Sequence, residues 1–217
     1  MSEIRVTSVV GENGGDRVGL TTGLTVGPLT GTTGIGATIT HQGHAQFAGV
    51  CTATSFSGGG LGITMAQQWR LRVITTVSSS YVTLADWEIC DSLGSSSGYG
   101  GNMSLDTSSG VWTFPSTGIY HLNCQAGFED SNNNQNFLTL AYNITTNNSS
   151  YTRVTESYGS LRAPGYENIT AQYLLDVTDT SNVKFKITGQ DQHGSGRVFG
   201  STTLNYTTLT IMRLGDT

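Results

Sequence analysis

Gly110 to Gln125 reads GVWTFPSTGIYHLNCQ, two short strands meeting at a Pro-Ser-Thr-Gly corner. Trp112 and Phe114 share one side of the first strand. After Gly118, Tyr120, Leu122, Cys124, Ala126 and Phe128 point one way, and His121, Asn123 and Gln125 point the other. A period of two is the signature of a strand with one buried face. Pro115 has no N–H to give a ladder, so it belongs at the break between the strands. Gly118 supplies the backbone freedom that the corner needs.

The same texture extends outward from this stretch. Trp69, Leu71, Val73 and Val77 alternate with mostly polar neighbours, and Ala85, Trp87 and Ile89 do likewise. Downstream come Leu138, Leu140, Tyr142 and Ile144, then Ala171, Tyr173, Leu175 and Val177, then Val183, Phe185 and Ile187. Thr202 to Leu214 reads as a long final strand, apolar on both faces near Leu209, Ile211 and Met212, as a central strand is. Roughly eight to ten strands in about 150 residues, with no helical pattern, predict an all-β jelly-roll sandwich. Polar loops are expected at Asp91 to Asn102, Glu129 to Asn136, Gly159 to Glu167 and Gln190 to Gly196.

Residues 1–60 differ from the rest. Glycine breaks the chain every few residues, leaving small pieces such as Leu24 and Val26, Ile39, and Ala45 and Phe47. So few large apolar groups bury too little surface for a monomeric core. Either the segment stays flexible, or several copies wind together as a β-shaft or attachment arm. The Gly-rich run Ser57 to Gly62 reads as a bend. The expected organisation is an N-terminal region 1–60, a linker 61–68 and a head 69–217.

Composition narrows the function classes. Of 217 residues only 12% are charged, 29 are glycine, and the formal net charge is −5. An acidic chain whose largest basic grouping is Arg70 with Arg72 is a poor nucleic-acid binder. Cys51, Cys90 and Cys124 form no CxxC pair, which excludes a zinc ribbon or a redox motif. Cys90 and Cys124 pair only if their strands are neighbours; otherwise they are reduced and buried. MSEIRVTSVVGENGG carries no signal-length apolar run, and no window reaches the length of a membrane span. A reducing cytoplasm is therefore the expected site of maturation, and the Asn-x-Ser/Thr sequons reflect only Asn/Thr-rich strands.

The order of these pieces resembles a known family. Residues 69–214 resemble the jelly roll shared by complement-type globular heads and tumour-necrosis-factor-like proteins. The resemblance rests on the Trp-rich opening strands, GVWTFPSTGIYHLNCQ, ITAQYLLDVTDTSNVKFKITG and the closing STTLNYTTLTIMRLGD. DWE at Asp86 to Glu88 and the terminal TIMRLGD are most similar to versions carried by tailed bacterial viruses, particularly marine ones. MSEIRVTSVVGENG and FAGVCTATSFSGGG resemble the starts and shaft repeats of phage fibre-like proteins. The resemblance implies a homotrimer packed through aromatic and aliphatic residues, with Trp69, Trp87, Trp112, Phe114, Tyr120, Tyr173 and Phe185 as the packing set. It implies a virion protein assembled in the host cytoplasm, bound to other virion proteins through its N-terminal region. The expected role is a trimeric tail-fibre, spike or head-fibre subunit in host attachment, and the alternative is a capsid decoration or cement protein.

No enzyme chemistry stands out. There is no GxSxG elbow, and His41, His44, His121 and His193 have no distinctive local partner. The Gly58 to Gly62 run lacks the Lys-Ser/Thr of a phosphate loop, so no cofactor is expected. Glu129 to Asn134 alternates oxygen ligands around Asp130 as a calcium loop does, and some heads of the resembled family bind calcium near the trimer apex. Gln135 and Ala141 break the EF-hand pattern, so a solvated turn is the competing reading. His41 and His44, triplicated at a threefold axis, would supply imidazoles for a transition metal, against a plain polar shaft position. The loops are the better place for binding. Tyr99, Tyr158 and Tyr166 are candidates to stack on sugars, and Asn102, Asn132, Asn134 and His193 to bond a host surface glycan or protein. The same loops would equally serve to solubilise the head or to pack on other virion proteins.

Overall fold

The computed structural model describes residues 24–26, 37–39, 45–47, 63–91 and 98–217, and the chain divides into two units, Met1–Ser57 and Gly58–Thr217. In the first unit β1 (Leu24–Val26), β2 (Ala37–Ile39) and β3 (Ala45–Phe47) form an antiparallel sheet in that order. They coincide with three of the small apolar pieces read from the sequence. His41, His44, Cys51 and the 58–62 bend lie outside the described residues.

The second unit begins with β4 (Met65–Leu71), β5 (Thr75–Thr76), β6 (Val82–Thr83), β7 (Trp87–Ile89), β8 (Ser104–Asp106) and β9 (Val111–Thr113). It continues with β10 (Gly118–Asp130), β11 (Gln135–Thr145), β12 (Thr152–Leu161), β13 (Gly165–Val177), β14 (Lys184–Asp191), β15 (Arg197–Val198) and β16 (Thr208–Gly215). These strands build two antiparallel sheets. In the seven-stranded sheet β10 pairs with β13 along its whole length on one side, and with β16 and then β15 on the other. β16 continues to β4 and β7, and β15 to β5. The six-stranded sheet runs β12-β11-β14-β9-β8, with β6 also pairing β14. The described residues contain no helix.

The opening stretch behaves as its alternation demands. Tyr120, Leu122, Cys124, Ala126 and Phe128 are fully buried and face Leu138, Leu140, Tyr142, Phe185 and Ile187 of the opposite sheet. Gly118 sits at φ +141°, where a Cβ would lie 2.5 Å from both the Gly215 carbonyl and Arg213 Nε. That space is occupied because Arg213 donates to the Thr117 carbonyl (2.8 Å) and to Thr64 Oγ1 (2.8 Å), closing the corner. β16 is central, between β10 and β4, as its two apolar faces predict.

Several boundaries differ from the sequence expectation, each for a physical reason. Met65 to Gln68, placed in a linker, belong to β4. Gln67 is buried there and donates to Asn102 Oδ1 (2.8 Å), so a polar residue sits where the pattern wants an apolar one. Val73 is exposed because β4 has ended at Leu71. Thr202 to Tyr206 are not strand; β16 starts at Thr208. The loop expected at Gly159 to Glu167 shrinks to 162–164, around a cis Ala163–Pro164 bond, and the one at Glu129 to Asn136 shrinks to 131–134. β12 and β13 are edge strands, where glycine and polar side chains meet water and break no packing.

Candidate functional site

Burial alternates along β13, and along β10 from Gly118 to Ala126, so register identifies what the seven-stranded sheet presents outward. One row joins Leu174 on β13, His121 on β10, Met212 on β16 and Ala66 on β4. The next joins Gln172, Asn123, Thr210 and Gln68, and the third joins Thr170, Gln125 and Thr208 and ends in the Arg70–Glu88 ion pair on β4 and β7. From Asn168 to Leu174 on β13 and from His121 to Gly127 on β10 this face holds no Asp, Glu, Lys or Arg. Leu174 is 61% exposed, and the buried Asn123 Oδ1 has no hydrogen-bond partner among the described residues. The six-stranded sheet presents the opposite character. Arg153, Glu156, Lys184 and Lys186 lie on or beside its outer face, with Arg153 over the Tyr81 ring at 4.1 Å and Lys186 over Tyr151 at 4.8 Å.

At the end of the sheet where β10 finishes, the outer face becomes aromatic. Tyr166, Phe199 and Tyr206 line up with centroids 5.7 and 5.4 Å apart and ring planes 32° and 39° from parallel. They border a groove of about 640 Å³ whose floor is Gly127 and whose rim includes Glu129, Glu167, Asn168 and Leu204. The wall is fixed from beneath. Phe199 N donates to the Gly127 carbonyl (2.8 Å), and Ser201 N donates to the Leu71 carbonyl (2.9 Å). Ser201 Oγ accepts from Thr203 N (3.1 Å) and Leu204 N (3.0 Å). The buried Arg70 guanidinium reaches the Thr202 carbonyl while bonding Glu88 (2.8 Å) and Asp91.

The carboxylates in the neighbouring turns hold the backbone. Asp130 is buried and accepts from Asn132 N (2.7 Å), Asn133 N (3.0 Å), Gln135 Nε2 (2.6 Å) and Ser195 Oγ (2.5 Å). Burial pushes its pKa up, but the Ser195, Asn132, Asn133 and Gln135 hydrogen bonds outweigh it and lower the value to about 2. The oxygens that suggested a calcium ligand are thus occupied by protein donors. Among the described residues no three His, Cys, Asp or Glu come together in a metal-holding group. Asp191 accepts from the Gly194 and Gly196 amides in the facing loop. A folded-state pKa below the usual 3.8 contributes stability that is present above about pH 4 and fades as pH falls towards 2. Asp130→Asn is therefore expected to lower stability at pH 7 by about 1–3 kcal/mol. The gap from the natural chain should narrow between pH 4 and 2 in urea titrations; a gap independent of pH would contradict the assignment.

The predicted binding residues do not form one site. Asn132, Asn134 and His193 are exposed at the end where β10 finishes; Asn134 Oδ1 accepts from Ala163 N (2.9 Å), and Asn133 Nδ2 donates to Ser195 Oγ (2.9 Å), tying the three loops together. Tyr166 stands beside them, 76% exposed, in the groove. Tyr99 and Asn102 lie near the other end, Tyr99 exchanging backbone bonds with Ala66 (2.8 and 2.9 Å). Tyr158 is on β12 and donates to Glu156. Trp69, Trp87, Trp112, Phe114, Tyr120 and Phe185 are buried inside the chain's own core, and Tyr173 packs at its margin. Cys90 and Cys124 are buried free thiols, with β16 and β4 between their strands. Sequence reading missed Phe199, Leu204 and Tyr206, because Thr202 to Tyr206 passed for strand; Gly200 was the available signal that the backbone there makes a close approach.

With this geometry in hand, the solved structures give a clear parallel. The chain is similar to murine APRIL at pH 5.0, with 13% identity, a TM-score of 0.52, and coverage of 69% of this chain and 98% of that one. Eiger, a TNF from S. frugiperda, is similar at 11% identity and a TM-score of 0.51, covering 72% of this chain and 95% of its own. The fold is the tumour-necrosis-factor-like jelly roll. The globular domain of zebrafish complement 1qA gives a TM-score of 0.41 at 12% identity, over 67% of this chain and 94% of that one. No protein-family model matches the chain, and no curated protein does. Among the described residues no helix is long and apolar enough to cross a membrane.

Proposed function

We propose that this chain is a non-catalytic structural protein whose jelly-roll unit self-associates as a homotrimer through the outer face of the seven-stranded sheet. We place it on a virus particle, as a tail-fibre, spike or head-fibre subunit with a role in host attachment. The observation that carries self-association is the uncharged face around Leu174, His121, Asn123 and Met212. Depletion of charge at the centre of a patch, more than bulk hydrophobicity, distinguishes protein interfaces from ordinary surface. The long edge of β13 borders this face, and covering such an edge with a second copy protects its unpaired backbone. The number three comes from the resemblance to trimeric jelly rolls, and the virion from the phage-like N-terminal stretches. A non-catalytic reading accords with the use of Asp130, Asp191 and Asp179 to hold turns.

Two experiments test the parts separately. The double variant Leu174→Asp, Met212→Asp places charges on both sides of His121 and is expected to shift light-scattering mass from oligomer to single chain. An unchanged mass would remove this face as the interface. Immunolabelled particles should show the chain at fibres or spikes, in a few dozen copies or fewer on multivalent logic. Labelling spread over the shell would favour a decoration protein instead.

A further inference from the structure

The aromatic groove is not needed by the core and is separated from the Leu174–Met212 zone by two polar rows. We infer that it is a binding site for a neutral oligosaccharide; this deepens the attachment role proposed above by naming the ligand class. Three features on the groove agree. Tyr166 and Tyr206 are 76% and 48% exposed, although each ring would gain by burial. With Phe199 between them they form a shallow platform whose 5.7 and 5.4 Å steps are on the scale of the repeat along an extended pyranose chain. Sugar C–H faces pack on such rings while hydroxyls need acceptors close by. Glu129 and Asn168 supply these at the rim.

Charge selects within the class. One side-chain carboxylate, that of Glu129, stands at the rim, and it pairs with the Arg197 guanidinium. Among the described residues no Lys, Arg or His lines the groove to pair with an anionic sugar, so uronic, sialylated or phosphorylated chains are disfavoured and neutral hexose chains accepted. The groove is also preorganised: the 199–206 wall is laced to Leu71 and to the buried Arg70, so little ordering cost accompanies binding. A volume of about 640 Å³ lies within the range of ligand clefts and accommodates a short stretch of chain.

The test uses the full chain and a panel of hexasaccharides: malto-, cello-, laminari-, manno- and chitohexaose, with hexagalacturonate as the anionic control. At least one neutral hexamer should give saturable binding in titration calorimetry, with hexagalacturonate at least tenfold weaker. Tyr166→Ala and Tyr206→Ala should each weaken that binding at least fivefold, whereas Tyr158→Ala, an exposed tyrosine elsewhere, should not. Matched melting curves verify folding. The inference is overturned by absence of binding across the neutral panel, by binding that survives both groove substitutions, or by equal affinity for the anionic hexamer. It is also overturned if Tyr166 and Tyr206 resist nitration in the assembled protein, since a second copy then covers the groove. A negative panel with the oligomer intact sinks the ligand class alone and leaves self-association standing.

Discussion

Trp112→Ala should lower the stability of the jelly-roll unit by about 3–5 kcal/mol, the cost of emptying a large buried site that cannot collapse. Trp112 is fully buried at the junction of both sheets. It meets Trp69 edge-on at 5.0 Å, Trp87 at 6.1 Å and Phe185 face to face at 5.6 Å with planes 3° apart. Phe114 and Tyr142 extend the cluster through Phe185, at 5.5 and 6.0 Å. Removing the central ring therefore takes contact from elements widely separated in sequence. Its indole N–H has no partner, so the loss is one of packing and not of a hydrogen bond. Trp112→Phe, which keeps a ring and removes that orphan N–H, should cost less. Urea unfolding followed by circular dichroism reads both; equal losses for the two variants would contradict this account of the core.

Gly200→Ala should cost about 2–4 kcal/mol, in the range of backbone displacements that single substitutions force. The reason is a close approach. A Cβ at residue 200 would lie 2.1 Å from the Val73 carbonyl oxygen and 2.2 Å from its carbon. Both are backbone atoms, so no side-chain rotation relieves the clash. The chain must separate there, straining the Ser201-to-Leu71 bond and lifting Phe199 from Gly127. Stability and the aromatic platform should thus fall together, seen as a lower melting temperature and greater exposure of Tyr206 to nitration. A neutral Gly200→Ala would show that the 73–200 contact is looser than described.

How much of this was legible in the sequence depended on what each residue faces. β10, β13 and β14 were readable because each has one buried face, and the period of two survives in the letters. The boundaries of β4, β12 and β13 were not, because Gln67 is buried with polar partners while Gly159, Ser160 and Glu167 occupy edge strands that tolerate them. Tyr166 was singled out as an exposed ring. Its partners Phe199 and Tyr206 were not, since what joins them is the pairing of β15 and β16 with β10, a contact between distant segments that no local pattern encodes. Asp130 likewise looked like a cation ligand because its neighbours are oxygen-rich, and Ser195, which donates to it across the facing loop, lies 65 positions away.

Self-association through the uncharged zone of β10 and β13 is the claim on which the rest depends. Sedimentation equilibrium of the full chain at neutral pH, over a wide range of loading concentrations, tests it most directly. The predicted result is a single species of three times the 23.0 kDa chain mass. A mass of 23.0 kDa at every concentration would contradict it.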